Sequence, residues 1–176
     1  MNREERYPEL KLKNQVVLSL LIYQGLSSSE ITGMKLQHVN FDDGTIYVKE
    51  SRHTSRRHLE LHPKQYHIFE RYINESRPRL LRCESDALVI GKLGVSTTTG
   101  EISYLVEQFK PLFTGRNLNP STIRQSVVSN WLNEKKFSLE MVQLMAGHRW
   151  ISTTARYRRT STDERRVLIN RFHPLG

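Results

Sequence analysis

A few short stretches of strand composition lie inside a chain whose other apolar residues recur at helical spacing, and that contrast limits the fold more than any other feature. The first is Thr45-Ile46-Tyr47-Val48, entered through the turn Asp42-Asp43-Gly44. A second strand, residues 57–61, follows the polar turn at His53-Thr54-Ser55, which makes a small antiparallel hairpin with Arg52, Arg56 and Arg57 at its tip. Upstream, Leu12, Val16, Val17, Leu20 and Leu21 predict a helix over 10–24 that Gly25 ends. Ser27, Ser28 and Ser29 offer an N-cap for a short helix reaching Met34, and Glu30 suits its dipole. Pro63 opens a helix carrying Tyr66, Ile68, Phe69, Tyr72 and Ile73. Residues 87–90 read as a short strand, and the Gly/Thr-rich stretch 91–100 reads as a loop. Helical patterns resume over 102–113, 121–133 and 138–145, and an amphipathic segment spans 163–172 with Val167, Leu168, Ile169 and Phe172. The expectation is a mainly α fold with a small antiparallel β-sheet, of the α+β class.

With 176 residues the chain is one domain, or one domain with a tail, and it is large enough for a real core. Its net charge of +9, spread along the whole length, favours a polyanionic partner, of which nucleic acid is the commonest. A generically basic protein is the other reading of the same number. The apolar runs Val16-Val17-Leu18 and Leu20-Leu21-Ile22 are far too short to span a bilayer. The charged N-terminus is followed by no apolar leader, and Cys83, the single cysteine, excludes an internal disulfide framework. Cytoplasm and no membrane association are the expectations.

Near the C-terminus, Ala146-Gly147-His148-Arg149-Trp150-Ile151-Ser152-Thr153-Thr154-Ala155-Arg156-Tyr157 places a histidine and a tyrosine nine positions apart across a Gly-marked helix end. A tyrosine with a free pKa of about 10 is a poor nucleophile, so a catalytic one needs cationic donors around the group it attacks. On its own the pattern also fits a helix end with a packed aromatic. Its form is similar to the nucleophile segment of the tyrosine recombinases (the phage-integrase family): Leu-Gly-His, a spacer, Ser-Thr-Thr, then the tyrosine. The segment Asn119-Pro120-Ser121-Thr122-Ile123-Arg124 resembles that family's His-x-x-Arg pattern, and Gly25-Leu26-Ser27-Ser28-Ser29-Glu30 resembles its Gly-Leu-Arg-x-x-Glu. These segments occur in the family's order, and the resemblance covers nearly the whole chain.

The resemblance implies DNA strand cleavage and rejoining through a 3′-phosphotyrosyl intermediate, in site-specific recombination or integration, as on a mobile element. Tyr157 would be the nucleophile, with Arg124 and His148 holding the scissile phosphate. It implies neither cofactor nor metal, because side-chain cations neutralise the pentavalent transition state. It further implies double-stranded DNA as partner, a tetramer assembled on paired sites, a catalytic domain over 1–159, and a C-terminal helix or tail over 160–176 exchanged between subunits. The family's N-terminal DNA-clamping domain is expected to be absent. Ser152, Thr153 and Thr154 are expected to cap the helix that carries Tyr157.

This chain departs from the family pattern in named places. Ser121 stands where the family usually has histidine, one helical turn from Arg124. Ser27 occupies the first-arginine position. The family's hairpin lysine falls near Ser51 or Arg52; Arg52 keeps the charge, but its pKa above about 12 unsuits it to proton donation. One lost preorganised donor typically costs roughly 3–4 kcal/mol of transition-state stabilisation. Two readings therefore stand: an active strand transferase, and a DNA-binding relative with a degraded site. Arg52, Arg56 or Arg57 would replace the missing guanidinium in the first. Arg56, Arg57, Arg149, Arg156 and Arg158 are the expected DNA contacts, with Arg77, Arg79 and Arg82 as a second basic cluster.

Overall fold

The computed structural model describes residues 8–115 and 117–159. The amphipathic segment expected over 163–172 lies outside them. Helix α1 (Pro8–Tyr23) is the central element: Val16, Leu20 and Leu21 are fully buried, and it packs on both the next long helix and the site-bearing helix described below. Gly25, with φ of +59°, turns the chain out of α1. A Cβ there would meet the Val127 side chain at 3.1 Å, so both the conformation and the space favour glycine.

Helix α2 (Ser28–Thr32) begins with a reciprocal capping box: the Ser27 hydroxyl accepts from the Glu30 N–H at 3.3 Å, and the Ser27 N–H donates to Glu30 Oε2 at 2.8 Å. The sheet follows, with β1 (Val39–Asn40), β2 (Thr45–Val48) and β3 (Arg57–Glu60) in antiparallel order β1-β2-β3. It has one strand more than the expected hairpin. The register pairs Ile46 with Leu59 and Val48 with Arg57, and all four are buried. Since side chains alternate across a strand, Arg57 shares the inward face with Leu59. It is therefore not a tip residue; the tip is made by the exposed Arg52 and Arg56.

Helix α3 (Pro63–Arg71) starts at the expected proline and runs on through a wide π turn, Tyr72–Ser76, into α4 (Arg77–Leu80). Pro78, which has no N–H to give to Asn74, stands where the helix widens. Residues 87–90 are buried as their apolar run demands, but they form only isolated bridges and no strand. Their backbone is held instead by Met34, which accepts from the Leu88 N–H at 2.9 Å, and by the Tyr72 hydroxyl, which accepts from the Ile90 N–H at 2.9 Å and donates to the Leu88 carbonyl. Burial pushes that phenol up to about 12. Arg77 is likewise buried and donates to the Ser85 and Ala87 carbonyls, which removes it from the expected basic surface cluster; Arg79 and Arg82 are exposed.

Helix α5 (Thr99–Glu107) stops short of the expected 113, and Pro111 falls in a separate 3-10 turn. Helices α6 (Pro120–Asn133), α7 (Leu139–Ala146) and α8 (Ile151–Ala155) complete the described chain. Val128, Trp131, Leu132, Val142 and Ala146 form a second apolar cluster beneath them.

One polar network inside the main core ties α1 to α3 and β3. Gln65, fully buried, donates to Ser19 Oγ and Gln24 Oε1 at 3.0 Å each, while Gln24 donates to Gln65 Oε1 at 2.7 Å and to the Glu60 carbonyl. Replacing Gln65 by Leu preserves bulk but strands these partners, so a loss of about 1–3 kcal/mol is expected in urea unfolding. A change below ~0.5 kcal/mol would show that the network contributes little.

Candidate active site

The site is built around one carboxylate. Glu30, on α2, has a side chain only 4% exposed and takes a guanidinium on each oxygen: Arg57 Nη1 on Oε1 at 2.8 Å and Arg124 Nη1 on Oε2 at 3.2 Å. Burial raises its pKa, but the charge of Arg57, the hydrogen bond from Arg57 and the charge of Arg124 outweigh that and hold it below the ordinary carboxylate value. Ser27 adds its hydroxyl to Oε2 at 3.0 Å. The serine in the first-arginine position is thus a helix cap bonded to the same carboxylate.

Both arginines then reach the last turn of α7. Arg57 Nε donates to the Met145 carbonyl at 2.8 Å, and Arg124 Nη2 donates to the Ala146 carbonyl at 2.6 Å. Arg124 also donates to the Gly25 carbonyl. These acceptors are carbonyls that a helix leaves without partners at its end, so each cation satisfies polar backbone while being positioned. Gly147, the left-handed C-cap of α7 at φ +71°, sits directly on Arg57: a Cβ there would fall 2.4 Å from Nη1. Arg57 Nη2 is buried and has no hydrogen-bond partner among the described residues. A desolvated donor left this way costs about 1–3 kcal/mol.

His148 follows Gly147 at the edge of this arrangement. Its Nδ1 lies 2.9 Å from the Thr154 hydroxyl, and its ring stacks on Tyr157 with centroids 6.0 Å apart and planes 13° from parallel. Partial burial first, then the charges of Arg124 and Arg57, push its pKa down to about 4, so the ring is neutral at pH 7. When the Thr154 hydroxyl donates to Nδ1, the ring proton sits on Nε2. The tyrosine is half-buried against the second apolar cluster and lies within electrostatic reach of Arg124. It lies in the turn just past α8, held by Asn133 Nδ2 donating to its carbonyl at 2.9 Å.

Most of the expected catalytic groups are therefore neighbours: Arg124, His148 and Tyr157 converge. Ser121 is exposed on the first turn of α6, one turn before Arg124. Arg52 is exposed on the β2–β3 loop, which docks on the histidine turn through the Ser55 N–H to the Gly147 carbonyl at 2.9 Å and a bridge between Thr54 and His148. Arg149 is exposed and donates to the Ser51 carbonyl at 2.8 Å; Arg56, Arg156 and Arg158 are exposed as well. Arg57 departs from expectation, being an interior cation and not a surface one, because its strand register turns it inward. Ser152, Thr153 and Thr154 do not cap the helix that precedes Tyr157. They lie within α8, whose N-cap is Trp150, and the buried Thr154 serves His148 instead.

Three contributors escaped the sequence reading. Glu30 was legible as a dipole partner and as the glutamate closing the Gly-Leu segment, but not as the anchor of two arginines, although its place three residues after Ser27 signals the capping box that aims it. Thr154 and Asn133 carry no local signal, because their partners are fixed by tertiary packing. Among the described residues no three His, Cys, Asp or Glu side chains gather as a metal site, and no helix is long and apolar enough to cross a membrane.

The profile of the phage integrase family matches residues 1–164. The chain belongs to the phage integrase family. Among its relatives are the tyrosine recombinases XerD of Proteus mirabilis, 25% identical over 95% of this chain and 54% of that protein, and of Pseudomonas aeruginosa, 28% identical over 95% and 56%. This phage integrase domain thus spans about half the length of the curated relatives it matches. Its fold superposes on the XerH recombinase bound to difH DNA before cleavage (TM-score 0.78, 18% identity, 96% of this chain and 49% of that one). It also superposes on the Tn1549 transposon integrase in complex with transposon end DNA (TM-score 0.71, 17% identity, 96% and 60%). The mainly α fold with its small antiparallel sheet is that of these recombinases.

The titration of the site has a defined sign. Both His148 and Glu30 have lowered pKa values when folded, so the unfolded chain binds protons first as pH falls. The histidine's contribution is complete above its ordinary 6.5 and is lost as pH drops towards about 4; the glutamate's is complete above 4.5 and is lost below that. Unfolding free energy should fall steadily on acidification from pH 6.5, and His148→Asn should flatten the segment between 6.5 and about 4. Parallel urea titrations of the two proteins at each pH read this directly; superimposable slopes would contradict the assignment.

Proposed function

We propose that this domain cleaves and rejoins DNA strands in site-specific recombination, with Tyr157 as nucleophile. The observation that supports it most is the shared carboxylate: Glu30 holds Arg57 and Arg124 against the α7 end that presents His148, and the His148 ring stacks on Tyr157. Cations fixed in advance at a partly desolvated place are what a phosphoryl-type transition state requires, since its negative charge grows on non-bridging oxygens. In this reading Tyr157 Oη forms a bond to a backbone phosphorus and gives up its proton. The P–O5′ bond breaks, and the 5′ oxygen takes up a proton and leaves as a hydroxyl. Arg124 and the His148 Nε2–H bind the non-bridging oxygens, while Arg52 supplies charge near the leaving group and Ser121 a hydroxyl beside Arg124. The reverse attack by a 5′ hydroxyl rejoins the strand.

Double-stranded DNA as the partner is supported by the +9 charge and by the exposed Arg52, Arg56, Arg149, Arg156 and Arg158. The XerH and Tn1549 integrase structures, similar in fold, contain DNA. Assembly of several copies on paired sites, as a tetramer, is supported by the exposed apolar side chains of Met141 and Leu144 on α7 and of Trp150 and Ile151 at the start of α8.

A nicked suicide duplex, in which the released strand diffuses away, tests the reaction. Denaturing gels should show a covalent protein–DNA adduct with the wild-type chain and none with Tyr157→Phe. DNA binding without any adduct would establish the other reading, a binding relative with a degraded site, for which Ser27 and Ser121 are the motive.

A further inference from the structure

The position from which the family's first arginine would act is occupied by Ser27, yet Glu30 holds two guanidiniums. We propose that Arg57, delivered from strand β3, is the second phosphate-binding guanidinium of this site and replaces the arginine that Ser27 displaces. The inference rests on the strand-transfer reading above.

Four observations carry it. Arg57 and Arg124 bind opposite oxygens of one carboxylate, so their charges sit on the same anchor. Both also bind carbonyls of consecutive residues, Met145 and Ala146, which places them together beneath the turn that presents His148. The Arg57 guanidinium is pressed against Gly147, the residue preceding that histidine, where any side chain would displace it. Finally, its Nε and Nη1 are spent on Met145, Glu30 and Ser55, while Nη2 is buried with no partner among the described residues. Balancing Glu30 alone uses Nη1 and leaves an ion-paired cation with one dry, unsatisfied nitrogen. A phosphate oxygen arriving at the His148 edge would supply the missing acceptor through a charge-assisted hydrogen bond.

The experiment separates charge neutralisation from scaffolding. Suicide duplexes carrying either the ordinary phosphate or a neutral methylphosphonate at the scissile position are offered to wild type, Arg57→Ala and Arg57→Lys. DNA affinity and circular dichroism are followed alongside. On the ordinary duplex Arg57→Ala should lose about 100-fold or more in adduct formation with DNA affinity nearly unchanged. On the methylphosphonate the loss should shrink below about 10-fold, because the neutral linkage no longer needs the cation. Arg57→Lys keeps a buried charge opposite Glu30 and should show a smaller version of the same substrate dependence, which decides the matter if the alanine variant misfolds. Equal losses on the two duplexes, or cleavage within about 3-fold of wild type on both, would overturn the proposal. Absence of any adduct with the wild-type chain removes the strand-transfer reading itself, and this inference with it.

Discussion

Two cations and one buried anion organise everything around the tyrosine. Two guanidiniums placed side by side in a low-dielectric interior repel, and Glu30 makes that arrangement tenable by giving each its own oxygen. The carboxylate in turn depends on Ser27, whose backbone and hydroxyl fix it at the start of α2. The ion cluster joins α2, β3, α6 and the end of α7, elements that are far apart in sequence. A tight left-handed turn at Gly147 converts that cluster into the position of His148.

The polarity of the histidine follows from the same cluster. A half-buried ring next to two guanidiniums gains nothing from a third positive charge, so it stays neutral and offers an N–H. Thr154, from the short helix that precedes Tyr157, holds the Nδ1 edge of the ring at 2.9 Å. Tyrosine and histidine are thus oriented by one segment, 148–157, pinned at its far end by Asn133.

Much of this was legible in the chain. Helical spacing, Pro63 and the serines and glycines at helix ends located α1, α2, α3, α6 and α7 within a few residues, and Asp42-Asp43-Gly44 located the start of β2. Motif order pointed to Arg124, His148 and Tyr157. What stayed hidden depended on partners distant in sequence. Residues 87–90 have strand composition but find helix ends and a phenol in place of a neighbouring strand. Arg57 looked like another surface cation because eight residues, 49–56, separate the paired strands and leave their register open; only the pairing with Val48 shows which way it points. Its alternation with Leu59 was the one local hint, and it becomes informative only once the inward face is known.

The long connection between β2 and β3 is stitched to the histidine turn through the Ser55 N–H and the Gly147 carbonyl, the bridge between Thr54 and His148, and the Ser51 carbonyl, which accepts from the Arg149 side chain. On the loop's side these contacts use main-chain groups, so amino-acid replacement there can vary outward residues such as Arg52 and His53 while its path over the histidine turn stays the same. In the strand-transfer reading, preference for a target and the geometry of bond breaking would then diversify separately.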